Sequence, residues 1–162
     1  PIIVLINRNS ASASEFYSAA MQDYNRAIII GSKSLGKASM QTIIPLEEKK
    51  QQDFVKLTVE KFYRVTGESN QIKGIIPDIS LPVLFDSITT REVSFKTALQ
   101  QDTISTKAKF NPLVNPNFEK IVALSNLRVK KSELFNEIWS FTKKLFNDKP
   151  EAWSVDKLAS LQ

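Results

Sequence analysis

The chain has 162 residues, 42% apolar and 24% charged, the proportions of one globular domain or of one domain with a smaller appendage. It contains neither cysteine nor histidine, which excludes disulfides, thiol nucleophiles and thiolate metal sites and leaves no Ser-His-Asp triad within these residues. The net charge of +5 mixes 22 basic with 17 acidic residues, and the densest basic cluster, LRVKK (127–131), falls on a helical pattern, so no nucleic-acid partner is expected.

In chain order, IIVLI (2–6) is short and β-branched, the pattern of a strand buried on both faces. Phe16, Tyr17, Ala20, Met21 and Tyr24 recur at helical spacing, which predicts a helix over 14–24. RAIIIG (26–31) is a second buried strand, so strand, helix and strand form a βαβ unit with a parallel pair. SMQTII (39–44) predicts a strand closed by Pro45, and LEEKKQQD (46–53) an exposed turn. FVKLTVEKFYRV (54–65) alternates, with Val55, Leu57 and Val59 on one face and a break at Lys61 that suggests a bulge. KGIIPDISLP (73–82) is a last extended piece.

After residue 83 glycine disappears and helical patterns take over. One helix begins at Phe118, and a second carries Phe135, Ile138, Trp139, Thr142, Leu145 and Phe146 before stopping at NDKP. The expected fold is α/β (α+β): a βαβ-containing piece with a mixed sheet over 1–82, then a mainly helical region over 83–162. No apolar run approaches the roughly 20 residues of a membrane span, so none is expected. PIIVLIN lacks the basic segment and cleavage site of a signal peptide, and its abrupt start inside a strand pattern suggests a chain cut from something longer.

Two segments invite a chemical role. GSKSLGKA (31–38) follows a strand and nearly matches the phosphate-binding loop, but Ala38 stands where Ser or Thr must hold magnesium. A strand-like segment also comes next where a helix is required, so no nucleotide cofactor is expected. The other segment is NRNSASASEFYSAAM (7–21), with Ser10, Ser12 and Ser14 on alternate positions. SASE (12–15) matches the capping box, in which the serine hydroxyl and the glutamate each satisfy a backbone N–H. On the residues alone the cap is the favoured role, but a serine in a sharp strand-to-helix turn is also the position of a nucleophile beside an oxyanion-binding helix start. With no histidine, the best local candidate for its base is Lys37.

SASASEFYSAAMQDYNRAIIIGSKSLGKASMQ resembles the catalytic heart of the C-terminal processing peptidases, also called tail-specific proteases. The likeness continues through VKLTVEKFYRVTGESNQIKGIIPDI, with a G-x-x-P-D turn at Gly74, Pro77 and Asp78, and more weakly into the helical tail. The resemblance implies a serine 25 positions before a lysine, and a glutamine four positions after it. These are Ser12 as nucleophile, Lys37 as general base and Gln41 as the residue that orients the lysine. It also implies the Ala13 amide as an oxyanion donor and Asp23 as a supporting residue, with a purely structural role at the helix end as the alternative for Asp23, and it implies no metal and no cofactor.

The resemblance further implies a serine endopeptidase acting through an acyl-enzyme on proteins with accessible C-terminal tails, in the periplasm or cell envelope. A lysine is ordinarily charged at neutral pH, so the base requires an apolar pocket without a carboxylate partner. The family's PDZ domain and the upstream half of its protease core, which supplies the second oxyanion amide, are not in this chain. The chain alone is therefore expected to be inactive, with a homodimer as one way to cover its open face. The alternative is a non-catalytic binding or scaffold module in which Ser12 only caps a helix.

Overall fold

The computed structural model describes residues 2–47, 53–86, 90–106, 108–114 and 117–147. In chain order the elements are β1 (Ile2–Ile6), α1 (Ala13–Asp23), β2 (Ala27–Gly31), β3 (Ser39–Pro45), β4 (Phe54–Lys61), β5 (Ile79–Ser80), α2 (Phe118–Lys131) and α3 (Glu133–Asn147). A 3-10 turn, Glu92–Ser94, lies between β5 and α2. Much of the 46–53 turn and the NDKP stop fall outside the described residues.

The expected α/β class, with helices after the strands, is present. So is the βαβ unit: β1 pairs in parallel with β2, and β2 pairs in parallel with β5. Parallel and antiparallel pairing are segregated into two sheets. Parallel strands make a three-stranded sheet of order β1-β2-β5, and β3 and β4 make a separate antiparallel pair. The segregation reflects the connections, because only eight residues separate β3 from β4 in sequence whereas parallel strands need longer crossovers.

β2 is the strand buried on both faces. Ala27 and Ile29 point to one side, where they meet Ile6, Ala19 of α1 and Ile75. Ile28 points to the other and packs with Ile79 of β5 and Val129 of α2, flanked by Phe118, Val122 and Phe135. Period-2 alternation thus feeds two small cores from one strand. Complete burial of Ile29 and Ile75 contributes about 2 kcal/mol each. β1, by contrast, is an edge strand. Only Ile6 is buried, and Ile3 and Leu5 are 62% and 74% exposed, so the expectation of burial on both faces is corrected. Its apolar run is matched by no second layer among the described residues.

The G-x-x-P-D turn locks β5 against β2. Asp78 Oδ2 accepts the Ile29 N–H at 2.7 Å and Oδ1 accepts Gln22 Nε2 of α1 at 2.8 Å. In the hairpin the pairing steps from Met40–Glu60 to Gln41–Thr58, which leaves Val59 as an extra residue in β4. The bulge therefore lies two positions before Lys61, the residue that ends β4. Val55, Leu57 and Val59 do not form one buried face, since Leu57 and Val59 are exposed.

Candidate active site

The chain leaves β1 through a tight turn in which Ser10 N–H donates to Asn7 O at 2.8 Å and Asn7 N–H donates to Ser10 Oγ at 3.1 Å. Two residues later Ser12 takes φ 54° and ψ −113°, a conformation that costs a non-glycine residue about 1–3 kcal/mol. This is the sharp strand-to-helix elbow that lifts a side chain clear of a sheet. The Ser12 carbonyl accepts the Glu15 and Phe16 N–H groups at 2.9 Å each, so the backbone itself starts α1. Ser12 Oγ makes no capping bond. Ser12 and Glu15 nevertheless stand in the capping-box arrangement, in which Ser12 N–H donates to Glu15 Oε2 at 3.0 Å. The Ala13 N–H has no acceptor among the described residues and stands beside Ser12 at the positive end of the helix dipole.

Glu15 does far more than cap. It is 1% exposed, and its two oxygens collect four donors. Oε1 accepts the Ser34 hydroxyl and, at 2.7 Å, the Gly36 N–H; Oε2 accepts Ser12 N–H and, at 2.8 Å, the Lys37 N–H. The loop that resembles a phosphate cradle thus wraps its amides around an internal carboxylate. Gly36 sits at φ +95°, and a Cβ there would meet Ile72 O at 2.8 Å, so only glycine keeps the loop closed. Ser34 Oγ in turn accepts the Ile75 N–H at 2.6 Å, and Leu35 N–H donates to Ser10 O at 3.0 Å. One buried carboxylate therefore fixes the Ser12 backbone to the Lys37 backbone.

Ser12 and Lys37 line one cavity of about 380 Å³, together with Asp23, Phe16, Phe62 and Arg64. The Lys37 side chain is half-buried and pairs with no carboxylate among the described residues. The two acids in the cavity wall are already engaged. Glu15 is filled by its four donors, and Asp23 is held by Arg64, whose Nη2 and Nε grip both carboxylate oxygens. Arg64 Nη2 also donates to Gln22 Oε1 at 3.2 Å. Gln41 is not in the cavity wall. Its Nε2 makes a long contact of 3.5 Å to Thr58 Oγ1, and no Lys37–Gln41 hydrogen bond is present. Lys37 precedes β3, so the two residues do not share the face of one strand.

The three serines now separate. Ser10 is used by its turn, Ser14 is exposed on the first turn of α1, and Ser12 alone presents an uncommitted hydroxyl to the cavity. The bracing role of Glu15 and the partnership of Arg64 are not legible as such in the residues. S-x-x-E marks Glu15 only as a cap, because its other three partners lie 19 to 22 residues away. Arg64 had a fainter signal, since an acid at the C-terminal end of a helix opposes the dipole and calls for a cation.

Residues 1–81 match the family description peptidase family S41. The tail-specific protease of Haemophilus influenzae is 39% identical over 122 residues, 72% of this chain and 17% of that protein. The carboxy-terminal-processing protease of Bartonella bacilliformis is 54% identical over 79 residues, 49% of this chain and 18% of that protein. The solved photosystem II D1 C-terminal processing protease is 34% identical over half of this chain and 20% of its own, with a TM-score of 0.45. The chain thus spans less than a fifth of the length of these two curated relatives.

Proposed function

Because the chain belongs to peptidase family S41, we propose that it carries the serine–lysine centre of an endopeptidase that cleaves proteins selected by their C-terminal tails. Ser12 Oγ attacks the peptide carbonyl while Lys37 Nζ, acting as the general base, takes its proton, and the Ala13 N–H receives the developing oxyanion. Collapse of the tetrahedral intermediate breaks the C–N bond, with the proton passing from Lys37 to the leaving amine. Water then attacks the Ser12 ester, again with Lys37 as base, and releases the acyl product. Gln41 orients the lysine once substrate is bound, and Asp23, fixed by Arg64, supports the cavity wall.

One observation carries this proposal. An uncapped hydroxyl at a strained elbow shares a cavity with a lysine whose neighbouring carboxylates are both otherwise engaged. A committed helix cap would hydrogen-bond that hydroxyl to a backbone N–H, and Ser12 Oγ makes no such bond. The test is cleavage of an unstructured peptide by the intact polypeptide, with Ser12→Ala and Lys37→Ala each expected to lower kcat by about 10⁴-fold or more. Unchanged cleavage in either variant would sink the assignment.

The isolated chain is expected to be inactive, since it supplies one oxyanion amide where two are needed and Ile3 and Leu5 of edge strand β1 leave apolar surface exposed. We propose that a second copy covers this surface when the chain is alone, which sedimentation checks: a monomer at all concentrations overturns it. Action in the periplasm or cell envelope completes the proposal, and cell fractionation tests it.

A further inference from the structure

The cavity at Ser12 is not closed by the family core alone. Ile104, Thr106 and Ala108 also line it, and they lie beyond residues 1–81, the part that matches the family. Ile104 and Thr106 belong to a strap that crosses the turn after β4 and is stitched to it at residues 102–104. Ile104 N–H donates to Gly67 O at 2.9 Å, Thr103 bridges to Glu68, and Ser69 N–H donates to Asp102 O at 3.3 Å. The Asp102 carboxylate is held by Lys61 Nζ at 2.7 Å and by the Tyr63 hydroxyl at 3.1 Å. Gly67 is required at the crossing, because at φ +87° a Cβ would come within 2.2 Å of Ile104 O. The same turn carries Arg64, which fixes Asp23 in the cavity wall, so strap and cavity share one scaffold.

We propose that this strap is a specificity determinant, with Ile104 forming part of the wall that receives the side chain on the acyl side of the cleaved bond. The proposal rests on the serine–lysine assignment above. A carbonyl carbon at Ser12 Oγ, with its oxygen at the Ala13 N–H, puts the attached side chain within a few ångströms of the cavity that starts at Ser12. Phe16, Ala19, Phe62, Val65 and Ile104 make that cavity apolar, so it takes an apolar side chain. Its size limit is set where Ile104 stands. Ile104 itself is 48% exposed, so changing it alters the wall and not the core.

The experiment measures kcat/KM of the intact polypeptide on peptides that differ only in the residue before the cleaved bond, alanine against leucine and phenylalanine. Ile104→Ala is expected to move the ratio at least about tenfold toward the larger residues, and Ile104→Trp at least about tenfold toward alanine. A merely structural role would lower all rates together and leave the ratio alone. Ratios that stay within about twofold of wild type in both variants, with cleavage still dependent on Ser12, overturn the strap's role and leave the serine–lysine assignment standing. Absence of Ser12-dependent cleavage in the wild type overturns that assignment, and the strap's role with it.

Discussion

Helices α1 and α2 both begin at a non-glycine residue of positive φ, Ser12 at 54° and Asn117 at 60°, and neither side chain caps its helix. The likeness ends at ψ. Asn117, at 31°, lies in the left-handed region that asparagine tolerates, on an exposed turn. Ser12, at −113°, lies where a Cβ is costly, and it is held there by the buried Glu15. The far ends differ in the same sense. α2 finishes with Arg128, Lys130 and Lys131, which suit the negative end of its dipole, whereas α1 finishes with Asp23, which does not. α2 follows local rules at both ends and α1 breaks them at both. Departures from local preference concentrate where chemistry is placed.

The sharpest way to break this contrast is to remove the support under Ser12. Glu15→Ala strands the Ser34 hydroxyl and the Gly36 and Lys37 amides in a buried setting, at about 1–3 kcal/mol each. A loss of about 4 kcal/mol or more is expected in denaturant unfolding. Glu15→Gln is also expected to be damaging, because an amide group turned toward either pair of donors meets donor with donor. A loss below about 1 kcal/mol in Glu15→Ala would mean that the carboxylate does not hold the elbow.

The other end of α1 should respond next. Asp23→Ala leaves the largely buried Arg64 without its counter-ion, and about 2–3 kcal/mol is expected, below the full cost of breaking a buried pair because Arg64 keeps some solvent. The double variant Asp23→Ala, Arg64→Ala is expected to recover part of that loss, which a double-mutant cycle reads directly. Additive losses would show that the pair is not coupled.

The same contrast explains what could be read from the residues. α2 and α3 were legible from their apolar periodicity, and the βαβ unit from two β-branched runs around a helical one, because these elements obey local preference. The edge position of β1 was not legible, since an apolar strand looks the same whether or not a second layer covers it. Ser12 emerged from its spacing to Lys37 within a family resemblance, and its uncapped hydroxyl required coordinates. Glu15 as a bridge, Arg64 as a partner and the strap as a wall all depend on contacts across 19 residues or more, which no local pattern encodes.

Glycine substitution at the two helix starts separates strain from ordinary turn chemistry. Ser12→Gly relieves the steric cost but adds unfolded-state entropy, so a net gain of about 1 kcal/mol is expected alongside loss of the hydroxyl. Asn117→Gly is expected to change stability by only a few tenths of a kcal/mol. Equal effects at the two sites would remove the distinction drawn between them. A stability gain that coincides with loss of cleavage would mark Ser12 as a residue kept strained for function.

The smallest effect belongs to the strap, whose tether is exposed where the supports of α1 are buried. The hydrogen bond from Lys61 holds the Asp102 carboxyl below its ordinary value of 3.8, with Tyr63 adding to the effect and burial opposing it. A carboxyl lowered in the folded state stabilises it fully above the unfolded value and ceases to do so as pH falls through the lowered one. Strap anchoring is therefore constant from neutral pH down to about 4 and weakens only below that. Hydrogen exchange at the Ile104 amide, corrected for intrinsic rate, is expected to track this course, with Asp102→Asn less protected at neutral pH and lacking the acid step. Protection unaltered by the substitution would mean that the backbone bonds to Gly67 and Ser69 hold the strap without the Asp102 carboxylate. Because solvent screens such an exposed pair, the difference is expected to be modest beside those at Glu15 and Asp23. That ranking itself tests whether this site rests on its buried carboxylates.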